Sequence, residues 1–211
     1  MLKDKCIIFD MDGTLIDSSG AMTQSVNYVR EHLGLGPISK KALEYHINQP
    51  DQHLPKIFYN TEEYDPAHRE LFREHYIQST AQMIALYPDV QEMLHYLSQH
   101  AVLAIATNAS DFFARHMLEE LKILEYFSAV VGANNVGEPK PSPLMLEHIM
   151  QTTCCSVPNT ILIGDSIKDE RAAINAGIDF IFADWGYGTS ESANLRANNI
   201  HELIALLNTF I

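Results

Sequence analysis

Residues 6–15 read CIIFDMDGTL. The first four, Cys6 to Phe9, are apolar on both faces of a two-residue period, which is the pattern of a strand buried in a parallel sheet. Asp10 and Asp12 follow this run, and residues i and i+2 of an extended chain point to the same side. Gly13 allows the backbone to turn away sharply. Although Asp and Gly also suit a plain polar turn, we expect two carboxylates at the carboxyl end of this strand, where open α/β sheets bind ligands.

Four further apolar runs of this kind lie along the chain, at residues 102–106, 129–131, 160–163 and 180–182. Helical patterns separate them, and several have readable ends. Pro88 precedes a helix over residues 89–99, Ser142-Pro143 suits the start of a helix through about Met150, and Gly177 follows a pattern over residues 168–176. This alternation predicts an α/β fold, a Rossmann-like doubly wound parallel sheet.

A helical insert interrupts the alternation after the first strand. No strand pattern appears between residues 18 and 82, and apolar residues recur on one helical face from Met22 to Leu33. Prolines divide the rest of the segment into short helices. The predicted units are a core domain of residues 1–17 and 83–211 and an α-helical cap domain of residues 18–82.

The composition narrows the class of protein. The chain has 211 residues, 14 Lys and Arg against 27 Asp and Glu, and a net charge of −13. An acidic surface repels nucleic acids and anionic membranes, so we expect neither as a partner. Three cysteines do not form a disulfide framework, and neither a signal-peptide pattern nor an apolar span of about 20 residues is present. We expect a soluble cytoplasmic protein, as a monomer or a homodimer.

Polar residues follow the other strands at equivalent places. Thr107 and Asn108 come after the second run, Lys140 after the third, and Asp165 and Asp169 after the fourth. Each alone fits a helix cap or a solvated surface residue. The carboxyl ends of parallel strands meet at one edge of the sheet, so the set together predicts a site.

The charge of this predicted site indicates a metal ion. Four aspartates (10, 12, 165 and 169) and one lysine (140) give four negative charges and one positive, a net of −3. Clustered carboxylates do not all stay ionised away from water without a cation. Because the candidate ligands are all oxygens, a hard cation is expected, and Mg²⁺ first. This cation would also offset the repulsion between an acidic protein and a phosphate ester.

These motifs together resemble those of the haloacid dehalogenase-like hydrolase superfamily, and specifically its aspartyl-phosphate phosphatases with a helical cap. The resemblance covers the whole chain and is carried by residues 10–15, Thr107, Lys140 before a proline, Asp165-Ser166 and Asp169. Residues 172–177 (AAINAG) and 185–187 (WGY) further resemble the branch that contains phosphoglycolate phosphatase and β-phosphoglucomutase.

The resemblance implies the catalytic roles. Asp10 would attack phosphorus and form an aspartyl-phosphate. Asp12 would protonate the leaving oxygen and then take a proton from the hydrolytic water. Thr107 and Lys140 would hold the phosphoryl oxygens.

The resemblance also implies a metal site and further donors. Mg²⁺ would lie between the Asp10 carboxylate, the Asp12 backbone carbonyl and Asp165. Asp169 would orient a metal-bound water or support Lys140. The substrate-binding donors would come from Gly13, Thr14 and Asn108, together with Thr107 and Lys140.

The insert would select the substrate by closing over the phosphate site. The polar stretch of residues 46–53 is long enough to reach a leaving group, although it also reads as a solvated loop. Residues 31–68 contain no arginine, whereas a carboxylate substrate such as phosphoglycolate usually needs a cationic partner. The remaining candidates for that cation are Arg30, Arg69 and Arg73.

The sequence therefore predicts a Mg²⁺-dependent phosphatase that acts on a small phosphomonoester, such as a phosphoglycolate-like compound, a sugar phosphate or a nucleotide. One alternative is a phosphosugar mutase of the same superfamily, in which the aspartyl-phosphate persists until a second hydroxyl arrives. Another is a non-catalytic protein that binds a phosphate ester.

Overall fold

The structure is a computed structural model that describes residues 3–190 and 192–211. Six parallel strands form the main sheet in the order β5-β4-β1-β6-β7-β8, and β2 and β3 form a small antiparallel pair. The strands are β1 (Cys6–Phe9), β2 (Ile16–Asp17), β3 (Ala85–Leu86), β4 (Val102–Thr107), β5 (Ala129–Gly132), β6 (Thr160–Gly164), β7 (Asp179–Ala183) and β8 (Arg196–Ala197).

Helices connect these strands and form the insert. They are α1 (Ser19–His32), α2 (Lys40–Asn48), α3 (Leu54–Tyr59), α4 (Pro66–Met83), α5 (Val90–His100), α6 (Asp111–Glu120), α7 (Leu144–Thr153), α8 (Ile167–Ala176) and α9 (Ile200–Leu207). In the described ranges, none of these helices is long and apolar enough to cross a membrane.

Alternate residues of the central strand pack on opposite faces of the sheet. Ile7 and Phe9 lie in one hydrophobic cluster, together with residues of α5, α6 and α9. Cys6 and Ile8 lie in a second cluster, with residues of α7 and α8. Every residue of β1 is fully buried, because helices cover both faces. The predicted doubly wound α/β fold is confirmed.

The sheet order places a ligand-binding crevice beside β1. From β1 the chain moves to β4 and β5 on one side, and then returns to β6, which pairs with the other side of β1. Chain connections on the two sides of such a switch point run in opposite directions and leave a crevice at the carboxyl ends of the strands. Asp10 follows β1 and Asp165 follows β6, so both carboxylates lie at this crevice.

Two adjacent connecting segments join the insert to the rest of the chain. β2 leads into α1 and β3 follows α4, and the two strands pair with Ile16 opposite Leu86 and Asp17 opposite Ala85. Between these connecting segments, α1, α2 and α3 bury a hydrophobic cluster of their own, which contains Val26, Leu43 and Phe58. The chain boundaries of a cap domain at residues 18 and 82 stay a prediction.

The main differences from the sequence prediction concern short elements and helix ends. The five predicted strands are present, each within two residues of its expected end. Three two-residue strands, β2, β3 and β8, carry too little pattern to be found in this way. Helices α6 and α9 were also not predicted. Pro143 is the N-cap of α7 rather than its first helical residue.

The sheet-facing side of α7 is predicted to carry much of the stability contributed by this helix. Leu146 is fully buried and Leu144 on the same helix is 38% exposed. Leu146→Ala should therefore lower the free energy of unfolding by about 2–5 kcal/mol, whereas Leu144→Ala should cost less than about 1 kcal/mol. Urea unfolding of both variants measures the difference, and equal losses would contradict this packing.

Candidate active site

A buried lysine and two buried aspartates form the centre of the site. The Lys140 ammonium donates to Asp10 Oδ1 at 2.6 Å, to Asp169 Oδ1 at 2.5 Å and to the Ala106 carbonyl at 2.6 Å. Lys140 is 3% exposed, Asp169 1% and Asp10 8%. Burial by itself lowers the pKa of Lys140, but the Asp10 and Asp169 carboxylates outweigh it and raise that pKa above its usual range. The lysine is therefore charged and fully saturated, since an ammonium has three donors.

Asn108 holds the backbone of Lys140 in place. Its side-chain amide donates to the Lys140 carbonyl at 2.9 Å and accepts from the Lys140 N–H at 2.9 Å. Thr107, the last residue of β4, is 1% exposed, and its hydroxyl oxygen accepts from the Ala109 N–H at 3.1 Å. Asn108 thus fixes the loop that carries the lysine, although the two residues are 32 apart in sequence.

Asp165 lies in a shell of donors at the end of β6. Its Oδ2 accepts from the Tyr187 N–H at 2.7 Å and the Gly188 N–H at 3.3 Å, and its Oδ1 accepts from the Thr14 hydroxyl at 3.3 Å. A Cβ at Gly186 would overlap the Asp165 side chain, so the WGY loop can approach only because this position has no side chain. Burial, with repulsion from Asp169, raises the pKa of Asp165 to about 7.

Three of the predicted acids form a cluster suited to a metal ion. One carboxylate oxygen each from Asp10, Asp165 and Asp169 lie within 4.8 Å of one another, and all three residues are buried. Burial raises the pKa of Asp10 well above its usual range, against the opposing effect of Lys140. The Lys140 ammonium contacts two of these three carboxylates, Asp10 and Asp169, and a hard divalent cation would compensate the remaining negative charge. The donor set therefore fits a hard divalent cation.

Asp169 has a second partner that keeps its carboxylate oriented. Its Oδ2 accepts from the Ser166 hydroxyl at 2.5 Å and from the Ser166 N–H at 3.1 Å, which closes a capping box at the start of α8. One oxygen of Asp169 thus caps a helix while the other contacts Lys140. The Asp169 side chain therefore contacts Lys140 and caps α8 at the same time, and its role in the site stays a prediction.

Asp12 lies outside the acid cluster and lines the adjacent cavity. The Ser18 hydroxyl donates to Asp12 Oδ1. Burial raises the pKa of Asp12, and this hydrogen bond opposes the rise. Tyr187, which the sequence analysis gave no role, accepts from the Ser18 N–H at 2.8 Å through its hydroxyl and donates to Asp17 at 2.9 Å. Tyr187 therefore contacts both Asp165 and the segment of Asp17 and Ser18 that leads into the insert.

Two predicted substrate donors are engaged elsewhere. The Gly13 N–H donates to the Ile16 carbonyl at 2.9 Å, and the Thr14 hydroxyl contacts Asp165. Neither residue lines the cavity. Gly13 has a φ of +89° and a Cβ there would collide with Asp165, so its role in this structure is to turn the chain close to that carboxylate. The substrate-binding role of both residues stays a prediction.

A cavity of about 450 Å³ opens beside Asp10 and Lys140, a volume suited to a small molecule. Asp12, Thr107 and Asn108 also line it. The insert contributes the opposite wall, which includes Ile47, Asn48, Pro50, Asp51 and Gln52 from the polar stretch of residues 46–53. This stretch therefore faces the cavity.

The cations proposed from sequence for a carboxylate substrate lie elsewhere. Arg30 donates to the carbonyls of Gly36 and Phe58, and Arg69 and Arg73 lie over the rings of Tyr64 and Phe112. None of the three arginines lines the cavity. Lys168 lines the cavity instead, and no motif in the sequence marked this lysine.

Comparison with known proteins identifies the family. A family model described as haloacid dehalogenase-like hydrolase matches residues 7–183. The chain belongs to this family of hydrolases. A phosphoglycolate phosphatase of Chromobacterium violaceum is 32% identical over 96% of both chains, and one of Vibrio parahaemolyticus is 29% identical over 96% of both. The expected superfamily and branch are confirmed, and these names agree with the expected class of phosphoric monoester hydrolases.

Solved structures share the fold. A haloacid dehalogenase-like family protein of Streptococcus pneumoniae has a TM-score of 0.83 and 24% identity, over 98% of this chain and 100% of its own. A subfamily IA hydrolase of Geobacter sulfurreducens has a TM-score of 0.73 and 23% identity, over 96% of this chain and 98% of its own. The likeness extends over the whole chain, insert included.

The buried contacts of Lys140 predict that this lysine contributes strongly to the free energy of unfolding. The prediction applies to the protein in chelator, where no metal ion can replace the missing positive charge. Lys140→Met would leave Asp10 and Asp169 buried without their ammonium, and removing one partner of a buried charge pair costs about 3–5 kcal/mol. Urea unfolding measures the loss in free energy. The matched control is Lys56→Met, which removes a lysine from an exposed ion pair with Glu62 and should have a much smaller effect. Comparable losses in the two variants would contradict the assigned arrangement.

Proposed function

We propose that this protein is a Mg²⁺-dependent phosphatase that hydrolyses a small phosphomonoester through an aspartyl-phosphate. The observation that carries the proposal is the Asp10 carboxylate, which lines a cavity while it contacts Lys140 and belongs to a cluster of three acids. The relatives named phosphoglycolate phosphatase favour a small anionic leaving group. Residues 18–82 would act as the cap that covers this cavity.

Asp10 is the proposed nucleophile. One of its carboxylate oxygens would bond to phosphorus as the bond from phosphorus to the leaving oxygen breaks, which gives a mixed anhydride on the enzyme. Lys140 holds Asp10 Oδ1, and this contact would orient the attacking carboxylate. Water would then attack the phosphorus of the aspartyl-phosphate, releasing inorganic phosphate and restoring Asp10.

Asp12 is the proposed acid and base. Its carboxyl lines the same cavity two residues after the nucleophile, and burial raises its pKa, which favours the protonated form that a leaving alkoxide requires. After it protonates the leaving oxygen, the Asp12 carboxylate would take a proton from the incoming water. The Ser18 hydroxyl would hold the side chain in position throughout.

Charge on the transferring phosphoryl group would be balanced by Lys140, Thr107 and a divalent cation. Asp10, Asp165 and the backbone carbonyl of Asp12 would hold Mg²⁺, with Asp169 supporting Lys140. When bound, the ion supplies positive charge to phosphoryl oxygens and so lowers the repulsion between substrate and nucleophile. Asn108 would act on the backbone of Lys140, which its amide already holds.

The nucleophile assignment predicts that Asp10→Asn removes phosphate release by at least about a thousandfold, since an amide oxygen is a poor nucleophile at phosphorus. A panel of phosphomonoesters with Mg²⁺ is the assay. The control is Asp179→Asn, which makes the same chemical change at the exposed first residue of β7. This residue lies at the amino ends of the strands, away from the site, so the variant should keep full activity. A folded Asp10→Asn variant with full activity would refute the mechanism, and a rearranged phosphate ester without free phosphate would identify a mutase.

The metal assignment predicts that a chelator abolishes phosphate release and that added Mg²⁺ restores it. Asp165→Asn should raise the Mg²⁺ concentration needed for half-maximal activity by at least about tenfold, because it removes one anionic ligand. A titration of activity against Mg²⁺ in both proteins measures this shift. Recovery with Zn²⁺ alone would contradict the hard-ligand assignment.

A further inference from the structure

Two lysines line the cavity within the described part of the chain, and they differ in their partners. Lys140 donates all three of its hydrogens to Asp10, Asp169 and the Ala106 carbonyl. All three hydrogens of Lys140 are therefore engaged by protein acceptors, two of which are carboxylates. Lys168 is the cavity lysine that has no hydrogen-bonded or ion-paired carboxylate among the described residues.

Lys168 projects from the first turn of α8 to the wall contributed by the insert. Its Nζ donates to the Ile47 carbonyl at 2.6 Å, across 121 residues of sequence. An ammonium carries three donors, and within residues 3–190 and 192–211 the other two have no protein acceptor. No described carboxylate lies within ion-pair distance of Lys168, and the charges of Asp169, Asp10 and Asp51 act on it from farther away.

The positive charge of Lys168 would be stabilised by an anion bound in the cavity. A half-buried ammonium loses part of its hydration, and one neutral carbonyl replaces only part of that loss. The phosphoryl group of the proposed reaction would lie at Asp10 and Lys140. A second negative group on the same small molecule would find its counter-charge at Lys168, on the side of the cavity where the leaving group must lie.

We propose that Lys168 is a specificity-determining residue that binds a second anionic group, a carboxylate or a phosphate, on the leaving group of the substrate. The inference rests on the proposed phosphatase function and names the substrate class that this chain selects. Lys168 also supplies the positive charge for a carboxylate substrate, since Arg30, Arg69 and Arg73 do not line the cavity. The remaining hydrogen bond to Ile47 would hold the wall of the insert against the bound molecule.

The test compares two substrates that differ in charge and not in length. 2-Phosphoglycolate carries a carboxylate, and 2-hydroxyethyl phosphate replaces it with a neutral hydroxymethyl group. The ratio of their kcat/KM values should favour phosphoglycolate in the parent protein and fall by about 10- to 100-fold in Lys168→Met, the value expected for one lost charge-assisted contact. Lys168→Arg should retain more of the ratio than Lys168→Met.

Two controls separate charge recognition from structure. Lys41→Met removes an exposed lysine of the insert outside the cavity and should leave the ratio unchanged. Lys168→Gln keeps an N–H donor for the Ile47 carbonyl but removes the charge, so it should lose the preference as Lys168→Met does. An equal loss of kcat/KM for both substrates would overturn the proposal, since the lysine would then bind the phosphoryl group. Full retention of the ratio in Lys168→Gln would also overturn it, since the lysine would then only hold the wall of the insert in place.

A binding experiment separates this inference from the phosphatase proposal. Calorimetry of Asp10→Asn with each compound measures affinity without turnover, and the double variant with Lys168→Met should lose the preference for phosphoglycolate. A preference for the anionic compound that persists in the double variant overturns the role of Lys168 even if the enzyme is a phosphatase. The carboxylate and phosphate sources are distinguished by repeating the titration with a bisphosphate of similar length.

Discussion

The Lys140 ammonium contacts Asp10 and Asp169 in a region with almost no exposure to solvent, and the arrangement of the site depends on this contact. A charge taken out of water must be matched by charges and dipoles around it. That requirement draws together three segments from β1, the loop after β5 and the start of α8. Asn108, from a fourth segment after β4, fixes the backbone of the lysine, so each strand end constrains the others.

The strand order brings these segments together. β1 is central and pairs with both β4 and β6, so Asp10 and Asp165 end neighbouring parallel strands at the switch point of the sheet. The carboxylates of Asp10, Asp165 and Asp169 lie too close together to remain ionised without a cation. An acidic protein can thus offer an anion a site with local positive charge, because Lys140 and Lys168 line one cavity and the proposed metal ion would lie beside them.

Sequence reasoning succeeded where a residue's neighbours along the chain decide its place. The run Cys6 to Phe9 must be buried on both faces, and Asp10 must follow at its end, whatever else the chain does. It did not single out Lys168 and did not predict the partner of Thr14, whose role as a phosphate donor stays a prediction. Thr14 instead donates to Asp165, 151 residues away, and Lys168 contacts Ile47 across 121 residues. Contacts at such separations leave no periodic signal in the sequence.

The sequence by itself determined the family, the parallel α/β class, the helical insert and the set of acids at the strand ends, because burial patterns and motif spacing are local properties of the chain. The tertiary structure alone decided which acids share a cluster, that Asp12 pairs with Ser18 instead, and that the insert faces Lys168 with a backbone carbonyl. These are matters of distance between segments. Only the packing of the sheet and insert sets such distances, and electrostatic energies depend on them steeply in a site removed from water.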